Sequence, residues 1–137
     1  MDYLSKAGMA ENKRILVVED DPVLRMLAAK QLEQLGYPCE TVGSGEEAMQ
    51  VLAADSFKVI FMDIGLPGMD GIATAKAIRD KEQNDPNEEG CHLYIIGLTA
   101  HSERQACLKA GMDDFLQKPA LINDMKQILD KYIPQQS

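Results

Sequence analysis

The chain has 137 residues, 45% apolar and 26% charged, which suits a single globular domain able to bury a core without disulfides or structural metals. Its net charge of −8 argues against a non-specific nucleic-acid binder, since no Lys/Arg stripe is available to displace counterions from phosphates. Three cysteines, Cys39, Cys91 and Cys107, stand far apart with no CxxC pair, so a reducing compartment is expected and neither a disulfide framework nor a zinc site is indicated.

Residues 1 to about 13 read as a linker or extension, 14–133 as one domain and 134–137 as a tail. The first apolar run, Ile15-Leu16-Val17-Val18, ends in Glu19, Asp20 and Asp21. Asp21-Pro22 then reads as an N-cap followed by proline at the first helical position. Leu24, Leu27, Ala28, Leu32 and Leu35 recur at helical spacing until Gly36 stops the helix. Residues 39–42 alternate polar and apolar, as a half-exposed edge strand would. Ser44 with Glu47 forms a capping box that leads Ala48, Val51 and Leu52 along one helical face.

A strand over 59–62 follows and delivers Asp63, then a Gly/Pro turn and a helix carrying Ile72, Ala75 and Ile78. The polar, acidic segment 80–92 is long for a connection and is expected to be a solvated loop plus a frayed helix end. The strand 94–98 ends at Thr99, a helix covers about 102–110, and a short strand around Phe115 ends just before Lys118-Pro119. The last helix spaces Ile122, Met125, Ile128, Leu129 and Tyr132. Five βα units with apolar inner strands predict a doubly wound five-stranded parallel sheet covered on both faces. No apolar stretch reaches the roughly 18–20 residues of a membrane span, and the N-terminus lacks the apolar centre of a signal peptide; the expected location is cytoplasmic, without membrane contact.

Buried strands that each deliver a polar residue at the C-terminal end describe the ligand crevice of an open α/β sheet. Magnesium prefers hard oxygen ligands and keeps several waters, so one or two carboxylates suffice: Asp20 and Asp63, with Glu19 reaching through a water. Three crowded acids repel one another unless a cation bridges them. A carboxylate can also accept a phosphoryl group, a transfer that depends on positioning and on neutralising the equatorial oxygens. The Lys118 ammonium and the Thr99 hydroxyl are suited to those oxygens.

ILVVEDDP (15–22), FMDIGLPGMDG (61–71), GLTA (97–100) and AGMDDFLQKP (110–119) together resemble a response-regulator receiver domain of two-component signalling. The resemblance covers about residues 13–133, and its last two blocks are most similar to receivers attached to hybrid sensor histidine kinases. It implies a flavodoxin-like (βα)5 fold and a phosphoacceptor in a His-to-Asp phosphorelay rather than a free-standing enzyme. Asp63 would take the phosphoryl group. Asp20 would bind Mg²⁺ directly (Mn²⁺ as a substitute), Glu19 through water, and Gly65 through its backbone carbonyl. Thr99 and Lys118 would contact the phosphoryl group, Phe115 would be the switch aromatic, and Gly65, Ala100 and His101 occupy positions that tune phosphoryl lifetime.

The implied partner is a histidine kinase or a histidine phosphotransfer domain, docked on the first helix and the crevice loops. The chain stops at Ser137 with nothing left over for a DNA-reading helix, which leaves a stand-alone receiver or a receiver of a hybrid kinase as the two readings. An aspartyl-phosphate phosphatase of the haloacid dehalogenase type would want an acid at position 65, where Gly65 stands. A flavin module would want a phosphate cradle after the first strand, where this chain puts acids. A receiver that is never phosphorylated is disfavoured by the complete set of site residues.

Overall fold

The computed structural model describes residues 15–65, 70–84, 92–99 and 104–133. Strands β1 (Ile15–Val18), β2 (Cys39–Val42), β3 (Val59–Asp63), β4 (Tyr94–Thr99) and β5 (Asp114–Gln117) alternate with helices α1 (Pro22–Gln34), α2 (Gly45–Ala54), α3 (Gly71–Asn84), α4 (Arg104–Lys109) and α5 (Ile122–Tyr132). All strand pairs are parallel, and the sheet order is β2-β1-β3-β4-β5. The chain therefore starts inside the sheet, builds one edge, then returns past its start, leaving a topological switch point between β1 and β3.

Side chains alternate across each strand, so the inner strands feed two separate cores. Ile15, Val17, Val59, Phe61, Ile96 and Leu98 pack with Ala28 and Leu32 of α1 and Met125, Ile128 and Leu129 of α5. Leu16, Val18, Ile60, Met62 and Ile95 pack on the other face with Ala48 of α2, Ala75 and Ile78 of α3, and Cys107 of α4. Among the described residues no helix is long and apolar enough to cross a membrane.

The local signals act largely as their chemistry demands. Asp21 Oδ1 accepts from the Val23 and Leu24 N–H groups at 2.8 and 3.3 Å, and α1 ends before Gly36, whose φ of +89° suits glycine. Ser44 Oγ accepts from the Glu47 N–H at 3.1 Å, but Glu47 reaches back to the Gly43 N–H at 2.7 Å, one residue before the expected box partner. β2 is an edge strand, yet all four of its residues are half-buried rather than alternating.

The segment 80–92 begins with the expected helix end, which is held by long-range partners rather than frayed. α3 continues through Asn84, because Arg79 anchors it: its guanidinium donates to the Gly111 and Leu93 carbonyls, each at 2.8 Å, and pairs with Glu82 and Asp113 at 2.8 and 2.7 Å. Glu82 in turn accepts from the Leu93 N–H at 3.1 Å. His92 lies 2.9 Å from Asp113, a partner its sequence neighbourhood does not reveal. The rest of that segment with Cys91, the extension 1–13, the tail 134–137, and the expected first turn of α4 at Ser102 lie outside the described residues.

Candidate functional site

Strand register brings the polar residues to one edge of the sheet. Val18 pairs with Met62, so Glu19 and Asp63 follow at the same level on adjacent chains. Asp63 pairs with Leu98 and Thr99 with Gln117, which places Thr99 and Lys118 one step further on. Asp63 is itself the last residue of β3, and Thr99 the last of β4, one residue beyond the strand ends expected from the apolar runs.

Asp63 and Glu19 are each only 3% exposed, an unusual burial for acids that must be offset by partners. Lys118 supplies the charge: its Nζ lies 3.2 Å from Asp63 Oδ2 and 3.3 Å from Glu19 Oε1. Backbone donors supply the rest. The Gly65 N–H donates to Asp63 Oδ1 at 3.0 Å, and the Asp21 N–H to Glu19 Oε2 at 3.1 Å. Lys118 is held in turn by its own N–H, which donates to the Thr99 carbonyl at 2.7 Å.

One lysine shared by two acids leaves each acid incompletely compensated, while the lysine feels both. Burial accordingly raises the Glu19 carboxyl above its ordinary range; the Asp21 N–H opposes the rise, the Asp63 charge adds to it, and Lys118 does not reverse it. At Lys118 burial pulls the other way but loses to Asp63 and Glu19, so the ammonium is held above the ordinary lysine value. A carboxyl raised on folding stabilises the fold only below its unfolded value of 4.5 and loses that contribution as pH rises through the folded value. Ionised Glu19 is thus a burden at neutral pH. Glu19→Gln is expected to raise the melting temperature at pH 7 without divalent metal, with the gain fading towards pH 4.5. A lower melting temperature at pH 7 would contradict this.

Asp20 is exposed, and one carboxylate oxygen each from Glu19, Asp20 and Asp63 lies within 4.8 Å of the others. This donor set fits a hard divalent cation such as magnesium: all oxygen, in excess of the local positive charge, and open at Asp20 for retained waters. Phe115 is half-buried against the α2–α4 side of the core, opposite Gly97 in the register. The Arg104 guanidinium lies over its ring at 5.1 Å, a contact no local pattern announces. Ala100 and His101 lie outside the described residues. Gly71 ends the 61–71 motif, and its structural role is close approach, since a Cβ there would sit 2.4 Å from the Asp63 carbonyl oxygen.

Known proteins resemble this chain in sequence and in fold. The family profile described as "Response regulator receiver domain" matches residues 15–130. The sensor histidine kinase RcsC of Salmonella typhi is 37% identical over 129 residues, covering 92% of this chain and 13% of that protein. The chain thus spans about one eighth of the length of the curated relatives it matches. The receiver domain of the sensor histidine kinase PA1611 from Pseudomonas aeruginosa, solved with magnesium coordinated in its active-site cleft, superimposes with a TM-score of 0.77 at 33% identity, covering 90% of this chain and 99% of that one. The Saccharomyces cerevisiae Ssk1 receiver, solved with the histidine phosphotransfer protein Ypd1, gives a TM-score of 0.81 at 25% identity over 89% of each chain.

Proposed function

The chain belongs to the response-regulator receiver family, and from that premise we propose that it accepts a phosphoryl group on Asp63 from a phosphohistidine donor. The observation that carries the reading is the Asp63 carboxylate, buried at the sheet switch point with Lys118 Nζ at 3.2 Å and two further acids beside it. A carboxylate oxygen of Asp63 forms the bond to phosphorus while the phosphorus–nitrogen bond of the donor breaks. The electron pair stays on the imidazole nitrogen, which takes a proton from solvent. The product is an acyl phosphate, and the chain serves as acceptor and promoter of its own phosphorylation and dephosphorylation.

Asp20, Asp63 and the Gly65 carbonyl would hold Mg²⁺ or Mn²⁺, with Glu19 acting through a water, and the ion would supply charge neutralisation for the transferring group. Lys118 and the Thr99 hydroxyl hold the remaining phosphoryl oxygens. Gly65 leaves the approach to Asp63 open, where a Cβ would stand in van der Waals contact with Asp63 Oδ1 at 3.6 Å. Ala100 and His101 tune the lifetime of the product. Phosphorylation adds about 1.5–2 negative charges, which draws Thr99 inward and shifts Phe115 and α4 between two packings.

The partner class is a histidine phosphotransfer domain or histidine kinase. Its docking surface is the exposed face of α1, where Val23, Met26 and Leu27 are 72, 60 and 44% exposed beside the crevice. Beryllofluoride, a phosphoryl mimic, tests the reading by nuclear magnetic resonance. With Mg²⁺ it is expected to shift resonances of Asp63, Thr99, Lys118 and Phe115; no shift in a folded protein would turn the reading towards an interaction module that is never phosphorylated.

A further inference from the structure

We propose that Arg25 is a positioning residue for the metal-binding acids, holding the peptide between Glu19 and Asp20 so that both carboxylates stay turned to the cluster. This rests on the reading of Glu19, Asp20 and Asp63 as the Mg²⁺ site. Arg25 stands in the first turns of α1, and its Nη1 donates to the Glu19 carbonyl oxygen at 2.8 Å. The Glu19 N–H donates to the Val42 carbonyl at 3.1 Å, and its carboxylate accepts the Asp21 N–H at 3.1 Å. Glu19 is thereby fixed from three elements: β2 through Val42, the turn through Asp21, and α1 through Arg25. Arg25 holds the only one of these groups that belongs to the peptide leading into Asp20.

Gly43, between β2 and α2, makes room for this contact. A Cβ on Gly43 would lie 2.8 Å from Arg25 Nη1 and 3.5 Å from Glu47 Oε1, and the backbone there does not adopt the positive φ that would otherwise call for glycine. The Gly43 N–H is itself tied to Glu47 Oε1 at 2.7 Å, so the loop cannot simply withdraw. Arg25 also brings a cation close to the acids while binding a main-chain carbonyl, which leaves carboxylate oxygens to the metal. A charge-assisted hydrogen bond of this kind orients a group more firmly than a neutral one.

The test is Mg²⁺ titration of the whole protein by isothermal calorimetry, alongside thermal melts, for wild type, Arg25→Ala, Arg25→Lys, Gly43→Ala and the double variant. Arg25→Ala is expected to weaken Mg²⁺ binding about tenfold, the scale of one hydrogen bond to a charged group. Arg25→Lys is expected to restore part of that loss through a single donor. Gly43→Ala is expected to weaken binding alone but to add little in the Arg25→Ala background, because both act on one contact. Gly43→Ala keeps every polar group and carries the test should Arg25→Ala not fold. Wild type that binds no Mg²⁺ would sink the metal-site reading itself. Wild type that binds while folded Arg25→Ala and Gly43→Ala bind equally well would overturn the role of Arg25 alone. So would an affinity loss that merely follows the melting temperature and is not restored by lysine.

Discussion

Lys118→Ala is expected to slow phosphoryl uptake from acetyl phosphate by about 100- to 1,000-fold, the usual effect of losing one preorganised donor to a developing anion. The ammonium lies 3.2 Å from Asp63 and 3.3 Å from Glu19, which under the proposed function is where the transferred oxygens would arrive. Nothing else cationic among the described residues pairs with either carboxylate. The substitution also leaves two acids, each 3% exposed, without their counter-ion, so the metal-free protein is expected to melt at a lower temperature. Mg²⁺ is expected to recover that stability without recovering the rate. Lys118→Arg is expected to remain slow, because a planar fork does not reproduce one compact donor between two acids. A rate within a factor of three of wild type for Lys118→Ala would show the lysine to be only an ion-pair partner.

The second large effect concerns Gly71. A methyl group there would sit 2.4 Å from the Asp63 carbonyl oxygen and 2.6 Å from the Ile64 Cα, both main-chain atoms that cannot rotate away. The start of α3 is pinned from the other side: Asp70 Oδ1 accepts from the Ala73 N–H at 2.7 Å, and the buried Thr74 hydroxyl donates to the Asp70 carbonyl at 2.8 Å. The helix therefore has to move as a body, away from the residue that ends β3. Gly71→Ala is expected to lose about 3 kcal/mol in urea unfolding, the upper range for overpacking, despite the better helix propensity of alanine. It is also expected to weaken Mg²⁺ binding, since Asp63 carries the strain. Stability within about 0.5 kcal/mol of wild type, the range of an ordinary surface substitution, would contradict the close-approach account.

The parts of this molecule that were legible in its sequence are those governed by short-range rules. Asp21-Pro22 and Gly36 bound α1 because caps act within a few residues, and the apolar runs at 15–18, 59–62 and 94–98 announce strands buried on both faces. The candidate site is legible for a related reason: in a parallel sheet, residues at or just beyond the C-terminal strand ends converge, as the register of Glu19, Asp63, Thr99 and Lys118 shows. What was not legible depends on partners far away along the chain. Arg79 lengthens α3 through Gly111 and Asp113, more than 30 positions on. His92 finds Asp113 across the β4–β5 edge, and Arg104 covers Phe115. Gly43 and Gly71 look like ordinary turn glycines until the space around them is seen. The Ser44–Glu47 spacing predicts a capping box, but the backbone donor that Glu47 meets belongs to Gly43.

The central claim is that Asp63 carries the phosphoryl group, and site-localised mass spectrometry after treatment with acetyl phosphate, with and without Mg²⁺, tests it most directly. A single, base-labile phosphoryl adduct that requires the metal, maps to Asp63 and disappears in Asp63→Asn is expected. An adduct on another residue, or one that persists in Asp63→Asn, would contradict it, as would an unmodified protein that is folded and binds Mg²⁺.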